Sequence, residues 1–172
     1  MDSVASVSAA DESTIAACQW ESWFKAWLTT LELNLSPIES YSLSLRLTDD
    51  ERIQHFNSTF RHVNRPTDVL AFASLEREGM PSQIWKSMPL ELGDIVISVE
   101  TALRQAPEHE HSLPQEMAWL ASHGLLHLLG WDHPDAQQLK TMLHKQDQLL
   151  HQIGLINAYK CNSDRINIGG TD

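Results

Sequence analysis

Basic residues are scarce in this chain: 12 Lys and Arg stand against 23 Asp and Glu in 172 residues, a formal charge of −11. Phosphate contacts supply most non-specific affinity for nucleic acid, so this balance excludes a broadly cationic, nucleic-acid-coating surface. It argues against DNA and against an anionic membrane as partners, and leaves a local RNA contact open. Cysteine is scarce too. Cys18 and Cys161 lie near opposite ends and form no CxxC pair, so no disulfide framework is expected. Long hydrophobic runs are missing: the longest uncharged apolar stretch, Met117 to Leu129, is broken by His123 and His127 and is too short to span a bilayer. The opening Met1-Asp2-Ser3-Val4-Ala5 has no basic segment followed by an apolar one, so no signal peptide is expected and the default is a soluble cytoplasmic protein. With 42% hydrophobic residues, 7 Gly and 7 Pro, the composition is globular rather than fibrous or disordered. What the chain has in plenty is histidine, nine of them, and tryptophan, six.

The length suits one domain with a sizeable core. Residues 1–13 are small and polar without pattern and are expected to be flexible. Ile15, Trp20, Trp23, Phe24, Trp27, Leu28 and Leu31 recur at helical spacing and predict an amphipathic helix from about Thr14 to Leu33. Ser22 and Lys25 within it match an SxxK nucleophile pattern whose companion motifs are missing, and are read as helix surface. Tyr41, Leu43, Leu45 and Leu47 alternate as in a half-buried strand. Thr48 is the expected N-cap of a helix running to about Phe60, with Glu51 completing a capping box. Strands are expected over 68–73 and 94–99, the second introduced by Gly93, with a loop from Arg77 to Pro89. Pro114 is expected to open a helix through Gly130, and a last helix to follow His133-Pro134 and run to about Ile153. Residues 161–172 are a polar tail. The fold class is α+β: a single domain with a small mixed sheet packed with helices, one of them a metal-binding helix of metzincin type.

The chemistry is concentrated in His123-Gly124-Leu125-Leu126-His127-Leu128-Leu129-Gly130-Trp131-Asp132-His133. Histidines four apart on a helix share a face, with Cβ atoms about 5–6 Å apart, and can point at one ion. Gly130 breaks the helix so that His133 can approach from another side. Three neutral nitrogen ligands with an open position suit a catalytic zinc rather than a structural one, although nickel or copper would also bind. The leucines between them strengthen the reading, because buried imidazoles without partners are costly. The spacing is that of H-E-x-x-H-x-x-G-x-x-H with Gly124 in place of the glutamate, so the general base of a zinc peptidase is missing. Asp132 either orients a ligand histidine from behind or sits in the turn. Glu108-His109-Glu110-His111 could bind an ion, but lies just before Pro114 in a charged loop where solvated side chains are expected; His144 and His151 are expected to lie on a helix surface.

This segment resembles the HGxLHLxGxDH motif of the YbeY family of bacterial endoribonucleases and rRNA maturation factors. Phe60-Arg61 followed by Arg65-Pro66-Thr67-Asp68-Val69-Leu70-Ala71-Phe72 is similar to that family's aromatic-Arg…PTDVLSF segment, and Leu92-Gly93-Asp94-Ile95-Val96-Ile97-Ser98 to its LGDIVIS strand. Ala71 and Ala73 replace the usual Ser and Pro, and the basic residue often found soon after the Arg is not evident. The resemblance implies a domain over about 14–160 with one zinc-like ion on His123, His127 and His133, and Arg61 as a functional arginine facing the metal. It implies a single-strand-specific endoribonuclease, a hydrolase of phosphodiester bonds, acting in 16S rRNA 3′-end maturation and ribosome quality control. The implied partners are single-stranded rRNA and the small ribosomal subunit or an assembly protein. Two other readings remain: a ribosome-associated assembly factor whose metal is mainly structural, and a zinc peptidase, which Gly124 disfavours. One local feature fits RNA. From Arg52 to Thr67 the chain carries Arg52, His55, Arg61, His62 and Arg65 and no acid.

Overall fold

The computed structural model describes residues 4–9, 15–74 and 86–155. Along the chain come β1 (Val4–Ala9), α1 (Ala17–Thr30), β2 (Tyr41–Thr48), α2 (Asp50–Arg61) and β3 (Val69–Ala73). They are followed by β4 (Leu90–Ser98), α3 (Val99–Glu108), α4 (Leu113–Leu128) and α5 (Ala136–Gln152). The strands make one mixed sheet in the order β1-β2-β4-β3. β1 runs parallel to β2 and β2 parallel to β4, while β3 closes the other edge antiparallel to β4. An α+β domain with a small mixed sheet is the architecture that forms.

Alternation along the strands divides the side chains between two faces. Leu43, Leu45 and Leu47 of β2 and Leu92, Ile95 and Ile97 of β4 join Trp20, Phe24 and Trp27 of α1, Leu125 and Leu126 of α4, and Leu149 of α5 in the main core. On the opposite face Leu70 and Val96 close over Ile53 of α2. Leu92 and Ile95 share a face although three residues apart, because the β2–β4 register shifts between Ser42 and Ser44. Gly93 lies in that irregular stretch at φ 136°, and a Cβ there would sit 2.0 Å from the Phe72 carbonyl oxygen. Only glycine fits such a bulge. The indole of Trp27 donates to the Leu149 carbonyl at 2.8 Å and ties α1 to α5.

Several local expectations are corrected. Val4–Ala9, read as patternless, pairs with Ser42–Leu47 as an edge strand. The N-cap of α2 is Asp49, whose carboxylate accepts from the Arg52 amide at 2.8 Å, and not Thr48. Thr48 is held in the ladder opposite Ser98, which takes it out of the cap. β4 begins at Leu90, four residues before the expected start, because pairing with β2 extends it through the bulge. α3 was not anticipated, although Ser98 caps it by accepting from the Thr101 amide and Ala102 and Ala106 form its buried stripe. α4 starts at Leu113 behind a capping box of Ser112 and Gln115, with Pro114 one residue further in. Ser22 and Lys25 lie exposed on α1, as does the free thiol of Cys18. Most of the expected 77–89 loop, and the tail with Cys161, lie outside the described residues.

Candidate metal centre

His123 and His127 stand one turn apart on α4, with Nε2 atoms 3.0 Å from each other and ring centroids 4.5 Å apart. After α4 the chain reverses: Leu129 caps the helix, Gly130 takes φ 88°, and the Trp131 amide donates back to the Leu126 carbonyl at 3.0 Å. A β-carbon is disfavoured at that φ, which accounts for the glycine. The reversal carries the His133 ring to 5.8 Å from that of His123 and 5.6 Å from that of His127. One nitrogen from each ring lies within 4.8 Å of the others, so the three sequence-predicted ligands meet around one point and could hold a metal ion.

The electrostatics disfavour the charged form of His123 and His127. Burial, reinforced by His127 and His133, pushes the His123 pKa down to about 4, against the opposing bond to Gln146. His127 is lowered by burial first, with His133 and Arg61 adding to it and Asp132 opposing. Metal ligation needs neutral imidazole, so the cleft holds these two rings ready without a proton to displace. Gln146, fully buried on α5, lies with its Oε1 3.2 Å from His123 Nδ1 while its amide donates to the Trp119 carbonyl. That orientation makes Nδ1 the protonated nitrogen and turns the Nε2 lone pair to the cleft. Sequence reasoning missed Gln146. The available signal was a polar residue on the apolar stripe of Met142, Leu143, Leu149 and Leu150.

Asp132 is exposed, and its carboxylate accepts from the His133 amide at 2.8 Å. It therefore acts on the turn that delivers His133 and makes no bond to a ligand ring in the described contacts. Arg61, the last residue of α2, donates from Nη2 to the Ala71 carbonyl at 2.8 Å and lies with Cζ 5.5 Å over the Phe72 ring. Its Nε is buried without a hydrogen-bond partner. Phe72, on which the guanidinium lies, borders the metal-binding helix: a Cβ on Gly93 would lie 2.0 Å from the Phe72 carbonyl oxygen and 3.0 Å from Leu128 Cδ2, and the Arg61 charge is the least of the influences on His127. Gly124, at the position where a peptidase carries glutamate, backs onto β4: a Cβ there would come within 2.8 Å of Ile95 Cγ2.

His109 and His111 are not the solvated pair expected. Each lies with Nδ1 against the fully buried Glu116 of α4, at 3.0 Å and 2.7 Å. Burial works against the charge on Glu116, but the two imidazole bonds outweigh it and hold its carboxyl below the usual range. The same bond raises His109. These three side chains form a second group with the composition of a metal site. His144 and His151 lie exposed on α5.

A layered α+β domain that gathers three buried or half-buried imidazoles defines a protein with a cleft that could hold a metal ion. The chain belongs to the YbeY family: the family model described as Endoribonuclease YbeY matches residues 6–154. Proteins named Endoribonuclease YbeY from Acaryochloris marina and Trichormus variabilis are 58% and 51% identical over 137 and 144 residues. Those matches cover 80% and 84% of this chain and 78% and 82% of the relatives. A solution structure of a Thermotoga maritima protein shares the fold, with a TM-score of 0.54 at 20% identity, covering 88% of this chain and 89% of that one.

Proposed function

We propose that this chain is a metal-dependent endoribonuclease that cleaves single-stranded RNA during ribosomal RNA maturation, with zinc on His123, His127 and His133. The observation that carries the reading is the convergence of three imidazoles in a member of this family, with no room for a carboxylate at residue 124. The donor set fits the ion: three nitrogens, two of them kept neutral by burial, with Gln146 fixing the tautomer of one. When bound, such an ion supplies Lewis-acid polarisation of a phosphoryl oxygen. Nickel and copper suit three imidazoles as well, so metal analysis decides between them.

The remaining steps belong to the chain and its substrate. RNA carries an internal 2′-hydroxyl, so cleavage does not depend on a glutamate beside the metal. Arg61 engages one Nη2–H on Ala71, and the other N–H groups at the end of its guanidinium suit a phosphate oxygen and the charge developing on it. Asp132 holds the backbone of His133 in the turn. The substrate is placed at the 16S rRNA 3′ end by the small ribosomal subunit or an assembly protein, in maturation and in ribosome quality control, and the protein works in the cytoplasm. No helix among the described residues is long and apolar enough to cross a membrane.

Cleavage of single-stranded RNA by the wild type, Arg61→Ala and His127→Ala, with metal content measured on each, tests this. The wild type is expected to hold one ion per chain and to cleave; His127→Ala loses both. Arg61→Ala keeps the ion and slows by about 10²–10³-fold, the usual cost of one transition-state donor. Equal cleavage by all three proteins would mean contamination and would leave a binding factor with a structural metal.

A further inference from the structure

Among the described residues five large apolar side chains are exposed, and Phe60 is the only aromatic one, 59% accessible. It is the middle of a ladder. Its ring is stacked on Phe56 at 6.4 Å and meets Phe72 edge-on at 5.3 Å. The rings on either side carry arginines: Arg46 lies 5.6 Å over Phe56, and Arg61 lies 5.5 Å over Phe72. Phe60 alone of the three faces mainly to solvent. The segment around it, 52–67, carries three arginines and no acid, and Phe72 borders the helix of the three-histidine cleft: a Cβ on Gly93 would lie 2.0 Å from the Phe72 carbonyl oxygen and 3.0 Å from Leu128 Cδ2.

An exposed phenyl ring between two guanidinium groups is what a single nucleic-acid strand requires. The face of a base stacks on the ring while the cations take the neighbouring phosphates, and the arrangement tolerates any sequence because every base has a π-face. We propose that Phe60 is the base-stacking residue of the single-strand path into the three-histidine cleft, holding a base next to the phosphate gripped by Arg61. The proposal rests on the endoribonuclease reading and adds the element that would select unpaired bases, since a base inside a duplex offers no free face.

The test compares Phe60→Ala, Phe60→Leu and Phe60→Trp with the wild type, all metal-loaded, on a single-stranded oligoribonucleotide. Thermal unfolding and metal content confirm that each variant is folded and loaded. Phe60→Ala and Phe60→Leu are expected to raise KM about 5- to 150-fold with little change in kcat, the range for losing one stacked base, and Phe60→Trp to stay near wild type. An abasic nucleotide walked along the strand should raise the wild-type KM at one position and leave the Phe60→Ala value unmoved there. Unchanged KM in Phe60→Ala, a Leu variant as good as wild type, or an abasic effect that persists in Phe60→Ala each overturns the stacking role while the nuclease reading stands. A wild type that does not cleave RNA overturns both.

Discussion

At the scale of single residues, Gly124 carries the most information. Its absent side chain distinguishes this cleft from a zinc peptidase on chemical grounds, because no carboxylate stands at position 124, where a peptidase carries its general base. The structure adds a steric ground. Position 124 faces Ile95 of β4, and even a β-carbon would lie 2.8 Å from Ile95 Cγ2 and 3.3 Å from Cγ1. Gly124→Ala should therefore cost about 1–3 kcal/mol, the usual range for overpacking a filled core, seen as a lower denaturation midpoint. Gly124→Glu should cost more and confer no peptidase activity, since the side chain points at the sheet. An alanine variant as stable as wild type would show that α4 can lift away from β4 at no expense.

At the scale of elements, the junction of α3 and α4 is held by charge. His109 caps the C-terminus of α3, and both it and His111 bond to Glu116 in the first part of α4. Glu116 has a lowered pKa, so its contribution is complete above its ordinary value of 4.5 and is lost as pH falls through the lowered one. His109 has a raised pKa, so its contribution is complete below 6.5 and is lost as pH rises through the raised one. The pairing thus stabilises most between about pH 4.5 and 6.5. Glu116→Gln should lose about 1.5–3 kcal/mol for each charged hydrogen bond removed, and both limbs of this pH dependence should flatten. Chemical denaturation across pH 4 to 8 measures it; parallel curves for wild type and variant would refute the charged junction.

At the scale of the whole molecule, a −11 chain with one small basic segment should hold RNA weakly by itself. Binding to single strands loses affinity with salt in proportion to about 0.7 per phosphate contact. With contacts confined to Arg46, Arg61 and their neighbours, the slope of log K against log salt should stay shallower than about −3. Affinity for an unstructured oligoribonucleotide, titrated from low to physiological salt, checks this. Tight binding to arbitrary RNA at physiological salt, or a much steeper slope, would mean that a larger cationic surface exists and that no ribosomal partner is needed for placement.

Most of the centre was legible from local pattern. His123, His127 and His133 lie within eleven residues, helix geometry alone aligns the first two, and Gly130 announces the turn that brings the third. The amphipathic helices and the alternation of β2 could be read for the same reason, since one face of each must be buried. What depends on distant parts of the chain was not readable. Val4–Ala9 becomes a strand only because β2 offers a free edge, and Thr48 yields the cap to Asp49 because β4 holds it in the ladder. Gln146 is twenty-three residues from the histidine it orients, and Glu116 draws in two histidines that looked solvated. The sequence by itself determined which groups can bind a metal, because ligand chemistry and helical spacing are local. Only the tertiary structure decided which nitrogen faces the cleft, why residue 124 has no side chain, and that Phe60 and Arg61 share Phe72 beside it, because packing and hydrogen bonds between separate elements set those positions.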